Sequence, residues 1–360
     1  MKRTTDLAGF ALVLAAGSLF GTLGVVSRLS YDLGLAPSAL VAWRGLFGFV
    51  GIGVIVLVGL SRGRSLVRRR DLGRSVRFPL AIAMASAWGL NMAIFLAFDR
   101  VTVALALLGF YLFPALVTIV DVWLGHERLD RPRVVALALS LGGMVAVVGG
   151  GLGGELRFDA LGIGLAVLAA VIQTVFIIVS RDGYSSIPAD QAMASILGAV
   201  AVLATISALL LGPADAILLP LRDPELLGLT VFAGVFGAAI PSLLFLIGIR
   251  RLGGTRAGIL MLSEPAMGVT LAAIVLGEAL RPIQAAGAVA IIVAAVVLQR
   301  ATPGAASAAL ASPGGSEAAL AVDASGEAAA VVERAPDEAV DAVDAGATPA
   351  IESTVVEERG

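Results

Sequence analysis

One phrase occurs twice in this chain, 151 residues apart. The first copy runs from Arg100 through Ala106 and Pro114 to Glu127 and Leu129, and the second from Arg251 through Ala257 and Pro265 to Glu278 and Leu280. The two are in register without a gap, and almost everything between the landmarks is apolar. A unit of this length used twice means one supersecondary block, duplicated. In membranes, such duplication builds two related halves around a single central site.

The solvent of this fold is lipid, because 58% hydrophobic and 14% charged residues over 360 positions leave too little polar surface to cover a water-soluble core. Apolar stretches of 18 or more residues, each able to cross roughly 30 Å of hydrocarbon as a helix, recur about ten times. Their boundaries read as 7–27, 38–60, 79–98, 101–124, 133–150, 160–180, 190–212, 226–249, 257–277 and 282–299. The first follows Met1-Lys2-Arg3 without a small-residue cleavage site and polar mature domain behind it, so it is expected to stay as an anchor. With no cysteine, disulfides, thiolate nucleophiles and cysteine metal sites are all excluded.

Arginines orient the spans. Loops expected inside carry 17 Lys and Arg residues, seven of them between 61 and 78, whereas the alternate loops hold five: Arg28, Arg100, Arg157, Arg222 and Arg281. Positive charge is retained on the cytoplasmic side, so both ends of the membrane region are expected there. Five spans per half is an odd number, and the second half therefore enters from the opposite side. The expected fold is all-α: ten transmembrane helices as an inverted five-plus-five repeat, with residues 7–150 as the first repeat and 160–299 as the second. Residues 300–360 differ in kind. Beyond Arg300 they hold 11 acidic and 2 basic residues and no aromatic, a composition that reads as an acidic disordered cytoplasmic tail.

The motif Ala-x-Leu-Leu…Pro…Leu-Gly-x-Glu-x-Leu stands at Ala106-Leu107-Leu108…Pro114…Leu124-Gly125-His126-Glu127-Arg128-Leu129. Its second copy is Ala257…Pro265…Leu276-Gly277-Glu278-Ala279-Leu280, with Gly17-Ser18-Leu19-Phe20-Gly21 in span one and Arg44 in span two. These residues resemble the drug/metabolite transporter superfamily, and specifically its members with two EamA-type domains. That resemblance implies ten helices in an inverted repeat, alternating access and a small metabolite as cargo. The chain departs from the pattern where His126 interrupts the first Leu-Gly-Glu and where Ser195 takes the place equivalent to Arg44.

Glu264 is the sharpest residue. It lies near the middle of span nine, directly before Pro265, where an ionised carboxylate must be paired, solvated in a cavity or held neutral. Proline at 265 frees the carbonyl of Met261, and Pro114 frees that of Phe110, so paired kinks are expected near the midplane. Trp88, Asn91, Tyr111, Gln173 and Ser242 fall at similar depth on other spans and are expected to supply substrate contacts. Each of them also fits a plain interhelical hydrogen bond. Arg44 is the basic residue inside a span, assigned with Glu264, Pro114 and Pro265 to coupling or gating. Axial rise sets it about 10 Å or more from Glu264, too far for an easy direct pair. Gly17, Gly21 and Gly24 are expected to let helices approach closely.

The functional expectation is a secondary transporter for a small metabolite, amino acid or drug-like compound, proton-coupled or exchange-driven, in the cytoplasmic membrane of a bacterium. No Walker lysine is present, so no nucleotide engine is expected. A channel or scaffold without coupled transport is the alternative. A multispan lipid-modifying enzyme ranks below it, since no acid cluster, histidine pair or nucleophile with a base is found. The small-molecule substrate, protons and the bilayer are the expected partners. No nucleic acid, cofactor, metal or catalytic residue is expected.

Overall fold

A computed structural model describes residues 6–67, 72–127, 130–150, 159–211, 214–276 and 281–300. The second Leu-Gly-Glu phrase at 276–280 and the joint at Gly151–Gly154 lie wholly or largely outside these residues, and the acidic tail lies outside them entirely. The described residues are helical throughout their ordered elements. Helix α1 spans Leu7–Asp32, α2 Pro37–Ser61, α3 Arg74–Arg100, α4 Val103–Phe110, α5 Phe113–Trp123 and α6 Arg131–Gly150. Then follow α7 (Ala160–Asp182), α8 (Ala189–Leu211), α9 (Pro224–Gly234), α10 (Ile240–Leu252), α11 (Gly254–Met261), α12 (Ser263–Leu276) and α13 (Pro282–Arg300). Among the described residues nine helical stretches are long and apolar enough to cross a membrane, and α3, with 27 residues, adds a tenth of sufficient length.

Local chemistry starts these helices where the sequence allows. Asp6 caps α1 by accepting the Gly9 N–H at 2.9 Å, and Asp159 caps α7 from Leu161 at 2.7 Å and Gly162 at 3.0 Å. Pro37 and Pro224 open α2 and α9, positions where the missing N–H costs no intrahelical bond. The two cap acids also tie helices together in matching fashion: Asp6 pairs with Arg251 at 3.4 Å, and Asp159 with Arg100 at 3.5 Å. Both pairs are half-exposed, so each contributes little to stability.

Packing follows a pattern that survives exchange of the two halves. The largest contacts are α6 with α13, α3 with α7, α2 with α8, and α1 with α10 and α12. Small residues make these approaches possible. A Cβ at Gly143 would lie 2.6 Å from the Gly287 carbonyl, so α6 and α13 touch backbone to backbone. Large apolar side chains meanwhile face outward, Trp123 at 83% and Ile274 at 74% exposure, which lipid solvates and water would not.

Spans four and nine depart from the expected kinked single helices. Each is two helices, broken at Tyr111–Leu112 and at Leu262, positions 151 residues apart. The prolines sit in the first turn of the second piece, where the chain has already turned, rather than bending a continuous helix. Span eight also differs, because a π-helical stretch at Val235–Ala239 joins α9 to α10 while its counterpart in α3 is plainly α-helical.

Candidate functional site

The two breaks face a central cavity of about 730 Å³. Helix α12 begins beside it, and Glu264 lies in that helix's first turn, where the free N–H groups and the helix dipole favour a negative charge. Its carboxyl lies near enough to interact with the Tyr111 hydroxyl, which comes from the equivalent break in span four, and both line the cavity. Arg44, from α2, lies close enough to act on the same carboxyl electrostatically, and its Nη1 donates to Asn91 Oδ1 at 3.4 Å. Arg44 and Glu264 therefore line the same cavity, and among the described residues the one hydrogen bond of the guanidinium is to Asn91. Arg44 Nε and Ser263 Oγ are both buried without a hydrogen-bond partner among the described residues, so polar capacity is left over beside Glu264.

Of the residues assigned from sequence, Arg44, Asn91, Tyr111, Gln173, Ser242, Glu264 and Pro265 line this one cavity. Trp88 does not. Its indole N–H donates to Ser207 at 3.2 Å, and its ring packs beside Val41, Val200 and Ala204 between α2, α3 and α8. Pro114 also stands outside the wall, with its Cα 3.5 Å from where a Cβ on Gly258 would sit. Aromatic rings from Phe110, Phe113, Phe176 and Phe245 close the apolar part of the cavity. Gly17 and Gly21 set α1 against the start of α12, since a Cβ on Gly21 would lie 2.9 Å from the Glu264 carbonyl oxygen. Gly24 faces open space in the cavity.

The two ends of the cavity are unlike. At one end Ser27, Arg28 and Tyr31, the last turns of α1, line it together with Gln284 of α13. There α4 and α12 make no packing comparable to that of their counterparts among the described residues. At the other end α5 packs on α11, and α7 packs on α10 and α11. Asp121, fully buried at the end of α5, accepts the Thr255 N–H at 3.0 Å and the Thr255 hydroxyl at 3.1 Å. Arg181 approaches it at 3.6 Å and His126 at 3.3 Å. Beside it Glu127 pairs with Arg133 at 3.4 Å; burial still pushes its carboxyl above the usual range, against the pull of Arg133. Arg250 donates to the carbonyls of Ile187 at 2.9 Å and Tyr184 at 3.1 Å and stacks on the Tyr184 ring. Burial pushes the Tyr184 phenol up to about 12.

Sequence reasoning missed Arg28, Tyr31 and Gln284 because they fall at span ends, where hydration is the default reading. It also missed Gly253-Gly254. Gly253 takes φ +86°, and a Cβ there would lie 2.6 Å from Glu127 Oε1, while one on Gly254 would lie 2.8 Å from Asp121 Oδ2. The paired glycines were the available signal, because side chains there would bar both acids from the start of α11.

Comparison with known proteins agrees with this architecture. No curated protein matches the chain. Twenty-eight solved chains do. One of them, a crystal structure described simply as that of a protein, has a TM-score of 0.69 at 24% identity over 81% of this chain and 96% of its own, a likeness of fold. The model of the EamA-like transporter family matches residues 7–149 and again 160–300. With this double match over most of its length, the chain is a multi-pass membrane protein that belongs to the EamA-like transporter family.

Proposed function

We propose that the protein is a secondary transporter that carries a small metabolite, amino acid or drug-like compound across a bacterial cytoplasmic membrane by alternating access. The observation that carries this reading is the central cavity, in which a carboxyl group from one broken helix meets a tyrosine from the other. A cavity of about 730 Å³ suits a metabolite-sized ligand. Asn91, Gln173 and Ser242 offer polar anchors on an otherwise aromatic and aliphatic wall.

Inversion of the two halves is part of the proposal. Exchange of halves carries α6·α13 and α2·α8 onto themselves and α3·α7 onto α1·α10. Five crossings per half then reverse the second relative to the first, and the arginine distribution sets the Asp121 end inside. Glu264 is the coupling group. It binds either a proton or the cationic group of a substrate, with Tyr111 and Arg44 balancing its charge between the two.

Replacing Glu264 by Gln tests this, since the amide keeps shape and hydrogen bonding but holds no exchangeable charge. The cargo is first identified by comparing metabolites in cells with and without the protein. In reconstituted vesicles Glu264→Gln is expected to exchange cargo for cargo, while accumulation driven by a pH gradient disappears. Undiminished gradient-driven accumulation by a correctly inserted Glu264→Gln protein refutes the coupling role.

A further inference from the structure

We infer that Asp121 and the Gly253-Gly254-Thr255 segment form a lock at one end of the cavity, present once in the duplicated fold, which sets the resting conformation open toward the Arg28 end. The inference rests on the alternating-access reading above.

Three observations carry it. First, the seal is asymmetric. α5 packs on α11 and α7 on α10 at the Asp121 end, and the counterparts of these contacts at the Arg28 end are not formed to a comparable extent among the described residues. Second, the Asp121 carboxylate is completely buried and held across the seam by two hydrogen bonds from Thr255, at 3.0 and 3.1 Å, with Arg181 of α7 at 3.6 Å. One side chain therefore ties α5 to α11, two spans that must part for the cavity to open there, while Arg181 backs the carboxylate from α7. A backbone N–H at a helix start is well suited to a carboxylate, and Gly254 leaves the room for it.

Third, the other half carries none of the parts. At the repeat offset of 151, Asp121 corresponds to Ala272, Gly253 to Thr102, Gly254 to Val103 and Thr255 to Ala104. At these four corresponding positions there is no carboxylate and no glycine. By contrast, the cap pairs Asp6–Arg251 and Asp159–Arg100 exist in both halves and are both formed in one conformation. They join spans that travel together, and Asp121 joins spans that separate.

A single cysteine reports which way the cavity faces. Ala87→Cys lines it on α3 in a chain with no other thiol, and Leu72→Cys or Glu155→Cys independently fixes which face of a sealed vesicle is which. An impermeant thiol reagent is expected to modify Ala87→Cys from the Arg28 face. Adding Asp121→Ala should raise modification from the opposite face by about tenfold or more, the scale of hydrogen bonds to a charged acceptor. Thr255→Val, which removes the hydroxyl donor alone, should raise it by roughly threefold or more and serves if Asp121→Ala fails to insert. Labelling that stays confined to the Arg28 face in an inserted variant overturns the lock, as does wild-type labelling from the Asp121 face. Equal access from both faces in the wild type instead overturns the alternating-access reading beneath it.

Discussion

A methyl group added at Gly21 should destabilise the protein through one contact. There α1 crosses the first turns of α12, and a Cβ would lie 2.9 Å from the Glu264 carbonyl oxygen, 2.9 Å from the Gly268 nitrogen and 3.0 Å from Met267 Cβ. Comfortable separations run near 3.5–4.0 Å, and two of the three obstacles are backbone that no rotamer change can move. The helices must therefore part by roughly 0.5–1 Å, an overpacking cost of about 1–3 kcal/mol. Gly24, one turn further along the same helix, has nothing within 4 Å. Alanine there meets no obstacle and gains helix propensity, so Gly24→Ala should be neutral or more stable by up to about 1 kcal/mol. At roughly 2–4 °C per kcal/mol, Gly21→Ala should melt about 2–12 °C below the parent. The assay is loss of the monodisperse gel-filtration peak after heating in detergent, with both variants run in parallel. If Gly21→Ala melts within about 1 °C of Gly24→Ala, close packing of α1 on α12 is not what sets the start of that helix.

Orientation is testable in intact cells: an impermeant thiol reagent should spare Leu72→Cys and modify Glu155→Cys, and the reverse result inverts the topology. Deleting residues 303–360 should leave insertion and transport intact because their composition cannot pack on the helices, and loss of transport at normal membrane levels would refute this. Two carboxyls predict opposite pH slopes in thermal melts. Glu127 is held above its ordinary 4.5, mainly by burial, so its contribution is present at low pH and is lost as pH rises through the folded value. Glu127→Gln should therefore flatten that decline. Asp159 is held below its ordinary 3.8 by the Gly162 N–H, then by Leu161 and Arg100, so its contribution is lost as pH falls through the folded value. Asp159→Asn should remove that acid-side loss, and melts that match the parent at every pH would refute either assignment.

Hydrophobic length and the spacing of prolines made the spans and two paired irregularities legible before any coordinates, because both are local properties of the chain. Pro114 and Pro265 marked the right turns. Whether a proline kinks a helix or begins a new one depends on the preceding residues, and Tyr111 and Leu262 end their helices just before it. Depth along a helix was readable too, and it brought Asn91, Gln173 and Ser242 to a common level. Rotation about the helix axis was not, which is why Trp88, at that level, turns to Ser207 instead of the cavity.

A duplicated fold supplies two ends and two half-sites of similar construction, so its function must be sought in residues that the second copy lacks. Glu264 corresponds to the apolar Phe113, Arg44 to Ser195 and Asp121 to Ala272. The first two occupy the cavity, where a single carboxyl is enough because the site is shared between the halves. Asp121 lies away from the cavity, at one end, and its position has an energetic consequence. If the halves were identical, the conformations open to either side would be related by symmetry and equally populated. A tenfold preference for one needs only about 1.4 kcal/mol, and one hydrogen bond to a buried carboxylate supplies as much. Sidedness in such a carrier can therefore rest on a very few single-copy residues while the scaffold stays symmetric. Opening the Asp121 end then costs this same small energy, which is recovered when the protein returns to its resting conformation.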